Sequence, residues 1–147
     1  MEIAVLGLGC FWGPEIKFSK VSGVIKTEVG YCGGNTKETT YEEVCTGKTN
    51  HAEVVKLDFD PKIISYEKIL EYFFEIHDST TLNSQGPDFG TQYRSEIFYL
   101  NDKQKKIANE VLDKENIKLS KKVVTKISLL KNYCVAEEHH QKYLEKK

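Results

Sequence analysis

The chain has 147 residues, 21 basic and 22 acidic side chains for a net charge of −1, 39% hydrophobic residues and 11% aromatic ones. That length is one domain, residues 1–147, with enough chain for a sizeable core. The composition excludes a disordered or fibrous chain, and the near-zero charge argues for no nucleic-acid and no membrane partner. Residues 1–100 carry 9 basic and 15 acidic side chains and residues 101–147 carry 12 and 7. The basic end is nearly all lysine, as a solvated helix face would be.

The longest mostly apolar run, Ile3 to Gly13, is far short of the roughly 20 residues that span a bilayer. The N-terminus has neither a cationic region nor a small-residue cleavage site, so a cytoplasmic location is expected. Within that run, residues 3–6 read as a strand covered on both faces. Gly13, Pro14 and Glu15 open a short helix that ends near Ser22 and Gly23. A second strand carries Ile25, Thr27 and Val29 on one face, and Gly30, Gly33 and Gly34 break it into a loop. Residues 41–46 form a helical turn or two. Val55, Leu57 and Phe59 alternate with Lys56 and Asp58, which is a half-buried strand.

Ser65 is the N-cap of the clearest helix, where Tyr66, Ile69, Leu70, Phe73, Phe74 and His77 make one apolar stripe. His77 there is a core-edge histidine. Residues 78–94 make a long polar loop, of a kind that is often functional. Residues 97–100 read as a strand. Asp102 caps a helix that buries Ile107, Ala108, Val111 and Leu112. Residues 123–130 are another strand, and residues 137–147 a polar terminal helix or tail. The order suits an α+β fold, a two-layer sandwich whose mixed sheet is built around a ferredoxin-like split βαβ core.

The four cysteines, Cys10, Cys32, Cys45 and Cys134, include no C-x-x-C pair. This weakens zinc-finger and thioredoxin-like readings, and no metal site is expected. Each thiol is then either an inert small hydrophobe or a reactive group. Cys10 stands at a strand end just before a helix N-terminus. Backbone N–H groups there favour an anion, so a lowered thiol pKa is expected. Phe11 and Trp12 lie beside the sulfur, and Glu15 is about one turn away. Tyr31, in Gly30-Tyr31-Cys32-Gly33-Gly34, either packs in a glycine-rich turn or points into a site. The loop from Gln85 to Ser95 offers Asp88, Tyr93 and Arg94. His51 and Glu53 open a strand, and Cys10 with His51 would make a hydrolase dyad. His139 and His140 are adjacent and make a poor metal pair.

Taken together, Gly9-Cys10-Phe11-Trp12-Gly13 with Glu15, Gly30 to Gly34, Tyr41 to Gly47, His51-Ala52-Glu53, Asp88 to Ser95, and Ala136-Glu137 with His140-Gln141 and Tyr143 resemble the peptide methionine sulfoxide reductase A (MsrA) family. The resemblance covers the whole chain. It implies thiol-dependent reduction of the S epimer of methionine sulfoxide, free or in proteins, through a sulfenic acid on Cys10. It implies that Phe11 and Trp12 hold the S-methyl group, that Glu15, Tyr31 and Tyr93 bind the oxygen and protonate it, and that Asp88 helps to position substrate or water. No bound cofactor is implied, only an external thiol: thioredoxin, glutaredoxin or glutathione, with dithiothreitol as a laboratory substitute.

Many members of the family carry a glycine-rich tail with one or two resolving cysteines after the segment that Tyr143-Leu144 resembles, and a form without that tail is expected here. Cys32 and Cys134 are the candidate resolving thiols, Cys45 is structural, and an outside thiol acting on Cys10 directly is the favoured route. Some relatives carry selenocysteine at the nucleophile position. The competing classes are a hydrolase or acyl transferase using Cys10 and His51, a thiol peroxidase, and a non-enzymatic ferredoxin-like binding module.

Overall fold

The N-terminal apolar run forms an inner strand of a sheet. The computed structural model describes residues 1–120 and 122–146. The elements in order are β1 (Glu2–Leu8), α1 (Trp12–Ser19), β2 (Val24–Cys32), α2 (Tyr41–Cys45), β3 (Ala52–Phe59) and α3 (Tyr66–Glu75). A two-residue hairpin follows, β4 (Ser84–Gln85) and β5 (Asp88–Phe89), then a 3-10 turn over Thr91–Tyr93. Next come β6 (Ser95–Tyr99), α4 (Asp102–Leu119), β7 (Lys126–Leu129) and β8 (Cys134–Val135). A 3-10 turn, Glu138–His140, leads to α5 (Tyr143–Lys146).

The main sheet has the order β7-β6-β1-β3-β2-β8. β3 lies between β1 and β2 and is antiparallel to both, so β1, α1 and β2 make a right-sized split βαβ unit. β6 adds antiparallel to β1, and β7 adds parallel to β6. The inner order β6-β1-β3-β2, with helices after β1 and β3, is the ferredoxin-like core the sequence leads one to expect. On one sheet face Leu6, Val29, Val55 and Leu57 pack with Phe18, Phe73 and Ala108 from three helices. On the other, Val5, Cys32, Val54 and Phe98 form a smaller cluster. Strand alternation assigns each residue to its face.

Several boundaries differ from expectation, each for a local reason. Gly30 does not break β2: a Cβ there would come within 2.7 Å of the Cys134 carbonyl, so the glycine admits the edge strand β8. The N-cap of α4 is Asn101, whose side chain accepts the Gln104 N–H at 2.9 Å. The strand expected over 123–130 shortens to Lys126–Leu129. Val123 and Val124 spend their N–H groups on the Asn116 side chain and the Ser79 carbonyl instead. The expected terminal helix is split, because Gln141 and Lys142 bond sideways to β2 and Glu15 rather than along a helix. Lys147, at its end, lies outside the described residues. His77 is a core-edge histidine: its ring nitrogens meet the Phe73 carbonyl and the Ser95 hydroxyl.

Candidate active site

Gly9 sets the turn that presents Cys10. Its φ is +97°, and a Cβ would meet the Gln85 side chain at 2.8 Å, so the position needs glycine. Cys10 follows, half-buried, with Phe11 as the N-cap residue of α1. The Trp12 N–H donates to the Cys10 sulfur and favours the thiolate. Burial, then the charges of Glu53 and Asp88, outweigh that bond and push the thiol up to about 11. The lowered pKa expected from the helix N-terminus is therefore reversed: an eight-residue helix contributes less than desolvation beside carboxylates.

The carboxyl group beside the thiol is Glu53. It sits on β3 directly opposite Tyr31 on β2 and is 1% exposed. One oxygen accepts the Phe11 N–H at 3.2 Å. The other, Oε2, is buried and has no hydrogen-bond partner among the described residues. Burial raises the Glu53 pKa to about 8; the Phe11 N–H opposes this and the charge of Asp88 adds to it. A carboxyl that keeps its proton near neutral pH is a donor in search of an acceptor.

Two further hydroxyls surround this pair. Tyr93, from the 3-10 turn after the hairpin, is raised to about 12 by burial and by the charges of Glu53, Cys45, Asp88 and Cys10. Tyr41, at the start of α2, is also raised, first by burial. Both phenols therefore remain protonated donors across the physiological range. Asp88 is half-buried on β5 and acts on Cys10, Glu53 and Tyr93 through its charge.

One wall is aromatic. Phe11 packs 5.7 Å from Tyr31 and 5.5 Å from His140 between ring centroids. Trp12 stacks on Tyr143 at 3.9 Å and 12°, and its Nε1–H donates to His140 Nδ1 at 3.2 Å. Tyr41 lies 4.5 Å from the same histidine ring. The C-terminal segment fastens this wall. Glu137 accepts the Tyr31 hydroxyl at 2.8 Å with one oxygen and the Tyr41 N–H at 2.9 Å with the other.

Glu15 and Tyr31 are not donors at Cys10. The Glu15 carboxylate is 2% exposed and accepts the Thr27 hydroxyl at 2.9 Å and the Lys142 N–H at 2.7 Å. It pins the C-terminal segment across α1 and β2. Tyr31 is fully buried, with its hydroxyl spent on Glu137. Helical spacing placed Glu15 near the cysteine, but its side chain turns inward to the sheet. The carboxyl group that lies beside the thiol is Glu53, and the phenol next to that carboxyl is Tyr41. The signal for Glu53 was available: it shares a strand face with Val55, Leu57 and Phe59, which marks a carboxyl group aimed at the core.

Cys32 is fully buried, belongs to the opposite-face cluster, and points its sulfur at the Lys131 carbonyl. Cys134 is half-buried on β8, with its sulfur 3.7 Å from the Thr39 carbonyl. His51 spends Nε2 on the Thr36 carbonyl at 2.9 Å, and Gly34 rests on its ring so closely that a Cβ would fall 2.0 Å from Nδ1. That packing leaves the dyad with Cys10 without its base. Among the described residues, no group of three His, Cys, Asp or Glu side chains is placed to hold a metal ion. Nor is any described helix long and apolar enough to cross a membrane.

Similarity to known proteins agrees with this geometry. The family profile described as "Peptide methionine sulfoxide reductase" matches residues 2–147. The chain is 81% identical over 147 residues, the whole of both chains, to peptide methionine sulfoxide reductase MsrA of Pelagibacter ubique. The crystal structure of Mxr1 from Saccharomyces cerevisiae in reduced form superimposes with a TM-score of 0.95 at 39% identity, covering 99% of this chain and 85% of that one. The structure of the same yeast protein in complex with Trx2 gives 0.69 at 26% identity, over 97% and 84% of the two chains. A buried acid beside a cysteine, an aromatic wall, a family match over residues 2–147 and 81% identity to a relative along its whole length lead to one conclusion: this chain belongs to the peptide methionine sulfoxide reductase family, MsrA type, and reduces methionine sulfoxide with a thiol reductant.

Proposed function

We propose that Cys10 attacks the sulfur of an S-epimer methionine sulfoxide, free or in a protein, while Glu53 protonates the departing oxygen. The observation that carries this reading is the buried, unpartnered Oε2 of Glu53 next to the thiol. A sulfoxide oxygen leaves only once it is protonated, and a carboxyl with a pKa near 8 still holds its proton at pH 7. Tyr41 and Tyr93 hydrogen-bond the same oxygen. Phe11 and Trp12 receive the S-methyl group on the aromatic wall, and burial, with the charge of Asp88 adding to it, keeps Glu53 protonated.

The neutral Cys10 thiol fits this chemistry. As the sulfur attacks, Glu53 gives its proton to the sulfoxide oxygen and takes up the thiol proton in exchange, so no thiolate stands beside an ionised Glu53. Overall, the oxygen passes from the substrate sulfur to the Cys10 sulfur. Methionine sulfoxide plus thiol becomes methionine plus Cys10 sulfenic acid, with a two-electron reduction of one sulfur and a two-electron oxidation of the other. Methyl, oxygen and line of attack are each fixed, while the remaining substituent leaves toward solvent. Three fixed directions select one hand of a pyramidal sulfur. Thioredoxin is the proposed reductant, in keeping with the yeast relative's complex with Trx2.

The test is turnover of separated S and R epimers of a blocked methionine sulfoxide with dithiothreitol. Reduction of the S epimer alone, abolished in Cys10→Ser, is expected. Equal reduction of both epimers, or activity retained in the variant, would overturn the assignment.

A further inference from the structure

We propose that Cys45 is the resolving thiol of this enzyme, forming a disulfide with oxidised Cys10 that an outside dithiol then reduces. This rests on the sulfenic acid of the proposed reaction. The sulfur of Cys45 attacks the Cys10 sulfur, an S–S bond forms, and the S–O bond breaks. The oxygen leaves as water with the Cys45 thiol proton. No further oxidant is needed, because the sulfoxide has already supplied the oxidising equivalents.

Placement within the fold singles out this cysteine. Disulfide formation requires Cα atoms within about 7 Å. Cys10 follows β1, while Cys134 sits on β8, three strand spacings away, or roughly 14 Å at about 4.8 Å each. Cys32 is two strands away and faces the other side of the sheet. Neither reaches Cys10 without opening the sheet.

Cys45 belongs to a different part of the structure. It closes α2, one helical turn after Tyr41, so the two share a helix face. Tyr41 and Cys45 act on each other, Tyr41 favouring the Cys45 thiolate. Buried, unpartnered Glu53 acts electrostatically on both Cys10 and Cys45, and Cys45 acts in the same way on Cys10. These four side chains therefore share one corner of the active site.

Cys45 is also the exposed cysteine of the four. It borders an open cleft that faces Phe89, Gly90 and Gln92. Phe89 is 75% exposed there and offers an apolar contact to a docking reductant. α2 has only five residues and is held at its end by local turns, Thr46 N–H to Glu43 O and Gly47 N–H to Val44 O. Bringing Cys45 to Cys10 costs one short helical turn and leaves the sheet intact.

The experiment is one turnover of the full chain with S-methionine sulfoxide and no reductant. It is followed by methionine quantification and non-reducing peptide mapping by mass spectrometry. The proposal expects stoichiometric methionine, loss of two hydrogens from the protein, and a peptide pair joined through Cys10 and Cys45. Methionine together with a Cys10 sulfenic acid that persists to reagent trapping, or a link to Cys32 or Cys134, overturns it. Absence of methionine overturns the underlying reductase reading instead. As a second check, Cys45→Ser should lose thioredoxin-supported turnover by about tenfold or more. Equal thioredoxin-supported turnover in that variant contradicts the proposal.

Discussion

A carboxylic acid buried beside a thiol performs a task that a solvent-exposed one would not. Glu53 is desolvated and repelled by Asp88, and these outweigh the Phe11 N–H it accepts and keep its proton in place up to about pH 8. Initial-rate measurements should therefore show kcat/KM falling as pH rises through about 8, because the donor is lost. Glu53→Gln should flatten that limb and lower the rate by roughly 10²-fold or more. Asp88→Asn removes the repelling charge, so the fall should move to lower pH. A fall at unchanged or higher pH would show that Asp88 acts through something other than its charge. Cys10, with its thiol near 11, titrates well above this window, so the limb reports the acid.

Elements matter here chiefly through what fastens them. The segment after β8 has little helix of its own, yet Glu137, His140, Gln141 and Lys142 each hold a different part of the site. Gln141 bonds both the N–H and the carbonyl of Val29 at 2.9 Å, as a backbone partner would. Gln141→Ala should destabilise the fold by about 1–2 kcal/mol in urea denaturation, since it leaves the Val29 N–H unpaired, while the Val29 carbonyl keeps the Ala136 N–H. Glu137→Gln keeps the shape but weakens the hold on Tyr31 and Tyr41. It should lower kcat/KM more than stability, and the reverse order would make the residue purely structural.

The same segment shows why elements were legible and contacts were not. Residues 66–75 declare a helix by the spacing of their apolar side chains, and β3 by strict alternation. By contrast, Gln141 and Lys142 bond across more than a hundred residues of sequence, and no local pattern encodes such a partner. Glu15 failed for the same reason. Helical geometry put it near Cys10, but Thr27 and Lys142, remote in sequence, decided where its carboxylate points.

For the whole molecule, two buried groups set opposite pH trends in stability. Glu53 has a raised folded pKa, so its contribution is present below about 4.5 and is lost as pH climbs through about 8. His77 is held down to about 4 by burial, so its contribution is present above about 6.5 and is lost as pH falls toward 4. Urea midpoints of the wild type should thus peak between these limits, and Glu53→Gln should remove most of the alkaline loss. The cysteine, its aromatic neighbours and the ferredoxin-like order were readable from local sequence, since strand, turn and helix are adjacent along the chain. The burial of Glu53 was readable too, from the face it shares with Val55, Leu57 and Phe59, but its place beside Cys10 was not, because the sheet brings β3 beside β1 only after folding. The most direct test compares single-turnover reduction of S-methionine sulfoxide by Glu53→Gln and Glu15→Gln at pH 7. The rate should fall roughly 10²-fold or more in Glu53→Gln, whereas Glu15→Gln should lose stability but stay within about tenfold of wild type. A near-normal rate in Glu53→Gln, or a larger loss in Glu15→Gln, would contradict the assignment of Glu53 as the proton donor.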